Sequence, residues 1–296
     1  MSIPIEIITE DTQLERAGFY WRATNTVRAL SCAPLEEDGF PNAFSTRLGG
    51  VSPMPQDALS LAGFDEDEAE NIYENRRRFL KLFDGEWSLT ACWQVHGSDV
   101  RVVKDRMDAR ETPGSPGESI YADALITNAP GILLGVKTAD CVPVLLCDKR
   151  TGACAAIHAG WRGTLARIVS NTLESMREEY GTNASDVRAA IGPAAGACCY
   201  EVGHEVINAF RERFEDADEL LTPTMREGHA RIDIQRANRN QLIAAGVSPE
   251  RIHLAPLCTM ERTDLFFSYR REKKLHGRVG RLMSVIGRGQ RLETGG

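Results

Sequence analysis

Between Ala124 and His158 the chain carries four aliphatic runs separated only by turn residues, and this block restricts the fold more than any other feature. The runs are Ala124–Thr127 (ALIT), Gly131–Lys137 (GILLGVK), Val142–Cys147 (VPVLLC) and Cys154–His158 (CAAIH). Turn-forming stretches at Asn128–Gly131 and Asp148–Gly152 divide them. Short apolar runs without polar alternation are the signature of strands covered on both faces, so layers are needed above and below them. The period then changes. Leu165, Ile168, Val169, Leu173, Met176 and Tyr180 recur at helical spacing, and Gly181 follows as a C-cap. The pattern predicts further helices over His204–Phe214 and Ile234–Ala245, and strands over Val187–Ile191, Ile252–Leu254, Phe266–Tyr269 and Val279–Ile286. Arg106–Ser119, with Pro113, Gly114, Pro116 and Gly117, reads as an exposed loop. No G-x-G-x-x-G or P-loop follows a strand. The expected architecture is a mixed α/β sheet core flanked by helices, one catalytic domain over 1–296 with its core at about 40–286 and a flexible tail at 288–296.

Composition removes several function classes. A formal charge of −7 argues against nucleic acid, whose phosphates call for a basic face. No apolar segment approaches the roughly 18 residues of a membrane span, and Met1–Glu10 lacks the basic, then apolar, pattern of a secretory signal. Eight cysteines in 296 residues without such a signal read as reduced thiols or metal ligands, and the expected location is the cytoplasm. The adjacent pair Cys198 and Cys199 has no disulfide-framework spacing.

Three segments concentrate reactive side chains, two of them with glycine: Gln94-Val95-His96-Gly97, Thr138-Ala139-Asp140-Cys141 and His158-Ala159-Gly160-Trp161-Arg162-Gly163. Each lies at a strand end or loop start, where distant parts of a fold can meet. Two imidazoles and a thiolate suit zinc, with a fourth position open to water whose pKa the ion lowers to about 7. Spacing alone does not separate that reading from three satisfied core residues, because His96, Cys141 and His158 stand 45 and then 17 positions apart. Cys92, four residues before His96, is the nearby candidate for closing the site as a structural one.

Charged neighbours suggest further roles. Asp140 adjoins Cys141 and could orient a histidine or act as general base, or simply cap its own turn. Arg47, in Phe44-Ser45-Thr46-Arg47-Leu48-Gly49-Gly50, is a candidate anion fork, and Arg162 stands at an expected helix start, where backbone N–H groups favour an anion. Either is equally readable as an ordinary surface arginine. Phe266-Phe267-Ser268-Tyr269-Arg270-Arg271 reads as a core strand ending in solvated charge.

These residues lie in strings that closely resemble the laccase-domain, or multicopper polyphenol oxidoreductase, family, also called the peptidoglycan-editing-factor family. The strings are FSTRLGGVS, QVHG, ADALIT, TADC, HAGWRG, IGP, CYEVG and FFSYRR, in family order from about residue 40 to 285. The resemblance implies a four-layer α/β/β/α fold with mixed sheets and a zinc site made of His96, Cys141 and His158. One departure is Ala58-Leu59-Ser60-Leu61-Ala62, where the family usually has S-L-N-L-G; Ser60 replaces only part of that asparagine's hydrogen bonding.

The family's names disagree about activity. A multicopper oxidase calls for repeated H-x-H pairs, but this chain has six histidines and none lies two positions from another, which favours zinc over copper. The resemblance implies instead phosphorolysis of adenosine, inosine and methylthioadenosine, with some adenosine deamination; the partners are then a nucleoside and phosphate. Under that reading Arg47 or Arg162 holds phosphate, and Cys141, Asp140 and Arg47 belong to the catalytic set. Two rivals remain. One is an amide hydrolase acting on a cell-wall precursor, with Cys141 as nucleophile or with zinc. The other is a non-enzymatic zinc-binding domain.

Overall fold

The computed structural model describes residues 9–54, 56–63, 66–106 and 121–289. Two six-stranded mixed sheets form the centre. In spatial order the first contains Phe19–Ala23, Arg28–Cys32, Asn42–Ser45, Leu282–Gly287, Ile132–Thr138 and Ser88–Ala91. The second contains Ile252–Leu254, Val187–Ile191, Val142–Asp148, Ala153–Ala159, Ala124–Thr127 and Val100–Val102. A three-stranded sheet of Glu201–Gly203, His229–Ile232 and Leu221–Pro223 stands apart from them.

The period-two geometry of a strand explains the aliphatic block. In Val142–Asp148, Leu145 and Cys147 face the other sheet, joining Leu134, Val136 and Ile286. Val142, Val144 and Leu146 face outward, onto Ile168, Val169, Leu173 and Met176 of helix Ile168–Tyr180 and Leu242 of helix Ile234–Ala244. The first sheet's outer face, with Leu133, Met283 and Val285, packs on Phe79 of helix Ala69–Leu80. Stacked in order, these are helix, sheet, sheet and helix, the expected α/β/β/α layering. No polar alternation could survive on strands with apolar layers on both sides.

Two expected elements differ. The helix read from Leu165 to Tyr180 is two helices, Trp161–Leu165 and Ile168–Tyr180, broken at Arg167, which adopts φ 60°. Phe266–Tyr269 is not a strand. Phe266 and Phe267 are fully buried, and Ser268 caps helix Tyr269–His276 by accepting the Arg271 amide, while Glu272 accepts the Ser268 amide. A hydroxyl at a helix start outweighs strand propensity there. Gly181, by contrast, ends its helix at φ 69° as expected. Most of the expected loop at Arg106–Ser119 lies outside the described residues, as does the tail beyond Gly289; Arg288 itself bridges Pro130. Among the described residues no helix is long and apolar enough to cross a membrane.

Candidate metal centre

The second sheet's ladder assembles the site. Ala153–Ala159 runs antiparallel to Val142–Asp148 with Ala159 opposite Val142, so Cys141 falls opposite Gly160 just beyond the pair. On its other side the same strand has Ile157 opposite Ala124, which sets Asp123 opposite His158; the His158 amide donates to the Asp123 carbonyl at 2.7 Å. The ligand atoms of His96, Cys141 and His158 all lie within 4.8 Å of one another. His158 is buried, Cys141 half-buried and His96 exposed, so the group opens on one side to solvent. The two imidazoles meet edge to face at 4.9 Å between centroids.

Asp123 orders this arrangement, and sequence reasoning gave it no role. It is fully buried. Its Oδ1 pairs with His158 Nδ1 at 2.8 Å and accepts the His96 amide at 3.0 Å. Its Oδ2 accepts the amides of Gly97 at 2.7 Å and Val95 at 3.2 Å. One carboxylate thereby fixes the ring of one imidazole, leaving Nε2 to point at the group, and clamps the backbone that carries the other. Burial by itself would raise the Asp123 carboxyl, but His158 and the Gly97 and Val95 amides hold it below the ordinary carboxylate range. The available signal was a charged residue inside Ala122-Asp123-Ala124, directly before a fully buried strand.

Backbone strain accompanies the ligands. His96 adopts φ 59° and Asp140 φ 85°, both in the left-handed region that costs a side-chain-bearing residue about 1–2 kcal/mol. Gly160 leaves room for the trio. A Cβ there would sit 3.2 Å from Cys141 Sγ and 3.2 Å from His96 Cδ2.

Electrostatics suit a cation. Burial works to raise the Cys141 thiol, yet His158 and His96 bring it down to about 6. Burial works to lower His158, yet Cys141 and Asp123 lift it to about 9. A half-buried negative sulfur between two imidazole nitrogens is a donor set that zinc satisfies, and the Gly160 cradle leaves space beside it. Cys92 is not part of the group. It is buried in the core between the sheets, its thiol pushed up to about 12 by desolvation.

The remaining expected site residues are placed differently. Asp140 adjoins Cys141, but its oxygens are engaged inward: Oδ1 accepts from Thr259 Oγ1 at 2.7 Å, and Oδ2 accepts from Ser268 Oγ at 3.0 Å and the Arg270 amide at 2.7 Å. Burial raises its carboxyl. Arg47 is not an available anion fork. It is ion-paired with Glu272 at 2.8 Å, donates to the carbonyls of Thr263 and Met54, and stacks 4.5 Å above Phe267. It lines a separate cavity of about 660 Å3 together with Asp57, Met260 and Arg271. Arg162 is exposed, with its guanidinium 4.1 Å over the Trp161 ring. Ser60 is fully buried, its hydroxyl accepting the Arg281 amide at 3.2 Å. Tyr200 and Arg270 form a neighbouring pair that was not foreseen: the Arg270 guanidinium lies 5.0 Å from the Tyr200 ring, and burial, then nearby Cys141, pushes the Tyr200 phenol up.

Known proteins agree with this architecture. Residues 41–289 match the family model described as multi-copper polyphenol oxidoreductase laccase. A protein of Bacteroides thetaiotaomicron named purine nucleoside phosphorylase is 38% identical over 243 residues, 82% of this chain and 89% of that protein. A protein named adenosine deaminase RL5, from an unknown prokaryotic organism, is 34% identical over 77% of this chain and 88% of its own length. The crystal structure of YlmD from Geobacillus stearothermophilus superposes with a TM-score of 0.83 at 31% identity, covering 92% of this chain and 99% of that one. The chain belongs to this laccase-domain family.

Proposed function

We propose that this family member is a zinc enzyme that cleaves purine nucleosides with phosphate, and that the same centre deaminates adenosine. The observation that carries the reading is the convergence of His96, Cys141 and His158 on one solvent-facing point, with His158 oriented by buried Asp123. The names of the relatives, purine nucleoside phosphorylase and adenosine deaminase, supply the substrate class. His96, Cys141 and His158 would hold the ion. Zinc bound there supplies a Lewis acid and lowers the pKa of a water in its remaining position.

The chain's own residues have separable tasks. Asp123 holds the His158 tautomer and the Val95–Gly97 turn, so both imidazoles keep their aim. Asp140, with both oxygens already bonded, positions Cys141 and the start of helix Tyr269–His276. Arg47 supports the same region indirectly, through Glu272 and then Ser268 to Asp140. Phosphate then falls to Arg162, which is exposed four residues after His158 and meets no carboxylate among the described residues. The exposed Arg270 completes the cationic rim.

The test is metal analysis of the purified protein, then incubation with adenosine with and without phosphate. Adenine with ribose 1-phosphate, dependent on phosphate, marks phosphorolysis, and inosine marks deamination; chelation should remove both. Stoichiometric zinc without either product would defeat the proposal.

A second reading has its own observation. Cys141 beside His158, whose other nitrogen meets Asp123, is also the arrangement of a thiol hydrolase. Turnover of a cell-wall amide by chelated protein, abolished by alkylation of Cys141, would belong to that reading alone.

A further inference from the structure

A second cluster of soft ligands lies outside the centre just described. The sulfurs of Cys198, Cys199 and Cys258 all lie within 4.8 Å of one another. We propose that these three cysteines form a second metal site, an all-thiolate one, for a thiophilic closed-shell cation.

The local backbone is arranged to bring the sulfurs together. Ala194 bridges Cys258, and the Thr259 amide donates to the Ala194 carbonyl at 2.9 Å, holding the two segments side by side. The chain then turns on Gly196, whose carbonyl accepts the amides of both Cys199 and Tyr200 at 2.9 Å. A Cβ on Gly196 would lie 3.3 Å from Cys198 Sγ and 3.5 Å from Cys258 Sγ, so the glycine sits directly against the sulfurs and eases their packing. Donors already point at them. The Gly196 amide meets Cys258 Sγ at 3.2 Å, and Arg271 Nη2 meets Cys199 Sγ at 3.9 Å. A backbone N–H and a guanidinium directed at sulfur stabilise thiolates rather than thiols. Cys198 is exposed and Cys199 half-buried, which provides an entry path to the buried Cys258.

The donor set decides the chemical class. It contains no imidazole and no carboxylate, and soft thiolates select soft or borderline ions such as copper(I), zinc and cadmium over calcium or magnesium. Two sulfurs sharing a zinc-sized ion at 2.3 Å sit about 3.8 Å apart in tetrahedral geometry, so closure needs a contraction of under about 1 Å. Burial holds both the Cys198 and Cys199 thiols up, and at Cys198 the neighbouring Cys258 and Cys199 sulfurs add to it, a crowding that a shared cation relieves. Binding sends the thiol protons to solvent.

Cadmium is the probe, because thiolate-to-cadmium charge transfer absorbs in the near ultraviolet. Reduced, metal-stripped full-length protein should bind two equivalents, and an unbuffered titration should acidify. Cys198→Ser, at an exposed position, should lose one equivalent and most of the band while its thermal melt stays unchanged. Cys141→Ser should retain the second equivalent. The proposal is overturned by a Cys198→Ser stoichiometry equal to wild type, or by folded Cys141→Ser that binds no cadmium. It is equally overturned if peptide mapping of the protein, purified with metal and without reductant, finds Cys198 in a disulfide with Cys199 or Cys258 and the reduced form binds one equivalent only.

Discussion

The two ligand clusters make an instructive pair. Each brings three donors within the same 4.8 Å, and each has a glycine lying against its sulfur. They differ in what stands behind the donors. His158 has its far nitrogen fixed by Asp123, and Asp123 is itself saturated by three backbone amides from the turn that carries His96. Cys198, Cys199 and Cys258 have one amide and one arginine directed at them and, among the described residues, no hydrogen-bonded carboxylate partner. Proximity of ligands therefore does not make a reaction centre. Outer hydrogen bonds that fix orientation, together with a mixed nitrogen and sulfur set, distinguish the group suited to chemistry from one suited to holding an ion. The clusters are also connected: Thr259, next to Cys258, donates to Asp140, next to Cys141.

The sharpest way to break the contrast is to remove one sulfur from each cluster. Cys141→Ser should abolish zinc retention and lower kcat/KM for nucleoside phosphorolysis by more than about 100-fold, beyond the 10–100-fold typical of outer partners. Cys198→Ser should leave that rate at wild-type level. Equal losses in steady-state assays would erase the distinction. Next in size, Asp123→Asn should weaken zinc affinity by about 10–100-fold, since the amide cannot serve both the imidazole and three amides as an acceptor; competition with a chelator measures it.

Thiol reactivity sharpens the comparison further, with a definite sign. In chelated protein Cys141 has its thiol lowered to about 6, so its thiolate predominates above that pH and alkylation slows as pH falls through it. Cys198 and Cys199 are shifted the other way, so at pH 7 they remain thiols. Iodoacetamide at pH 7 should therefore modify half-buried Cys141 before exposed Cys198, and mass mapping that found the reverse order would contradict the electrostatic account. The smallest effect is expected at the link. Thr259→Val removes one hydrogen bond to Asp140 and should cost about 1–2 kcal/mol in denaturant unfolding, with a modest fall in activity and no change in either metal stoichiometry.

How much of this was readable beforehand varies with locality. The four aliphatic runs became strands because burial on both faces leaves its mark residue by residue within each run. His96, Cys141 and His158 stood out because each sits in a segment matching a family string, two of those segments carrying glycine. Asp123 was in plain view in ADALIT but carried no role, since its partners come from a strand and a turn remote in sequence. Arg47 misled for the complementary reason: nothing in FSTRLGGVS reveals that Glu272 waits to neutralise it. Phe266–Tyr269 misled because two buried aromatics fit a strand as well as a capped helix start.

The sequence by itself determined the layers, the reactive segments and the family, all of which follow from short-range pattern and local chemistry. Only the tertiary structure decided that Asp123 stands opposite His158, that Cys141 falls beside Gly160, and that three further cysteines converge behind Gly196. The physical reason is register. A strand's apolar content declares its burial, but which residue faces which across a ladder depends on turns and partner strands along the whole chain.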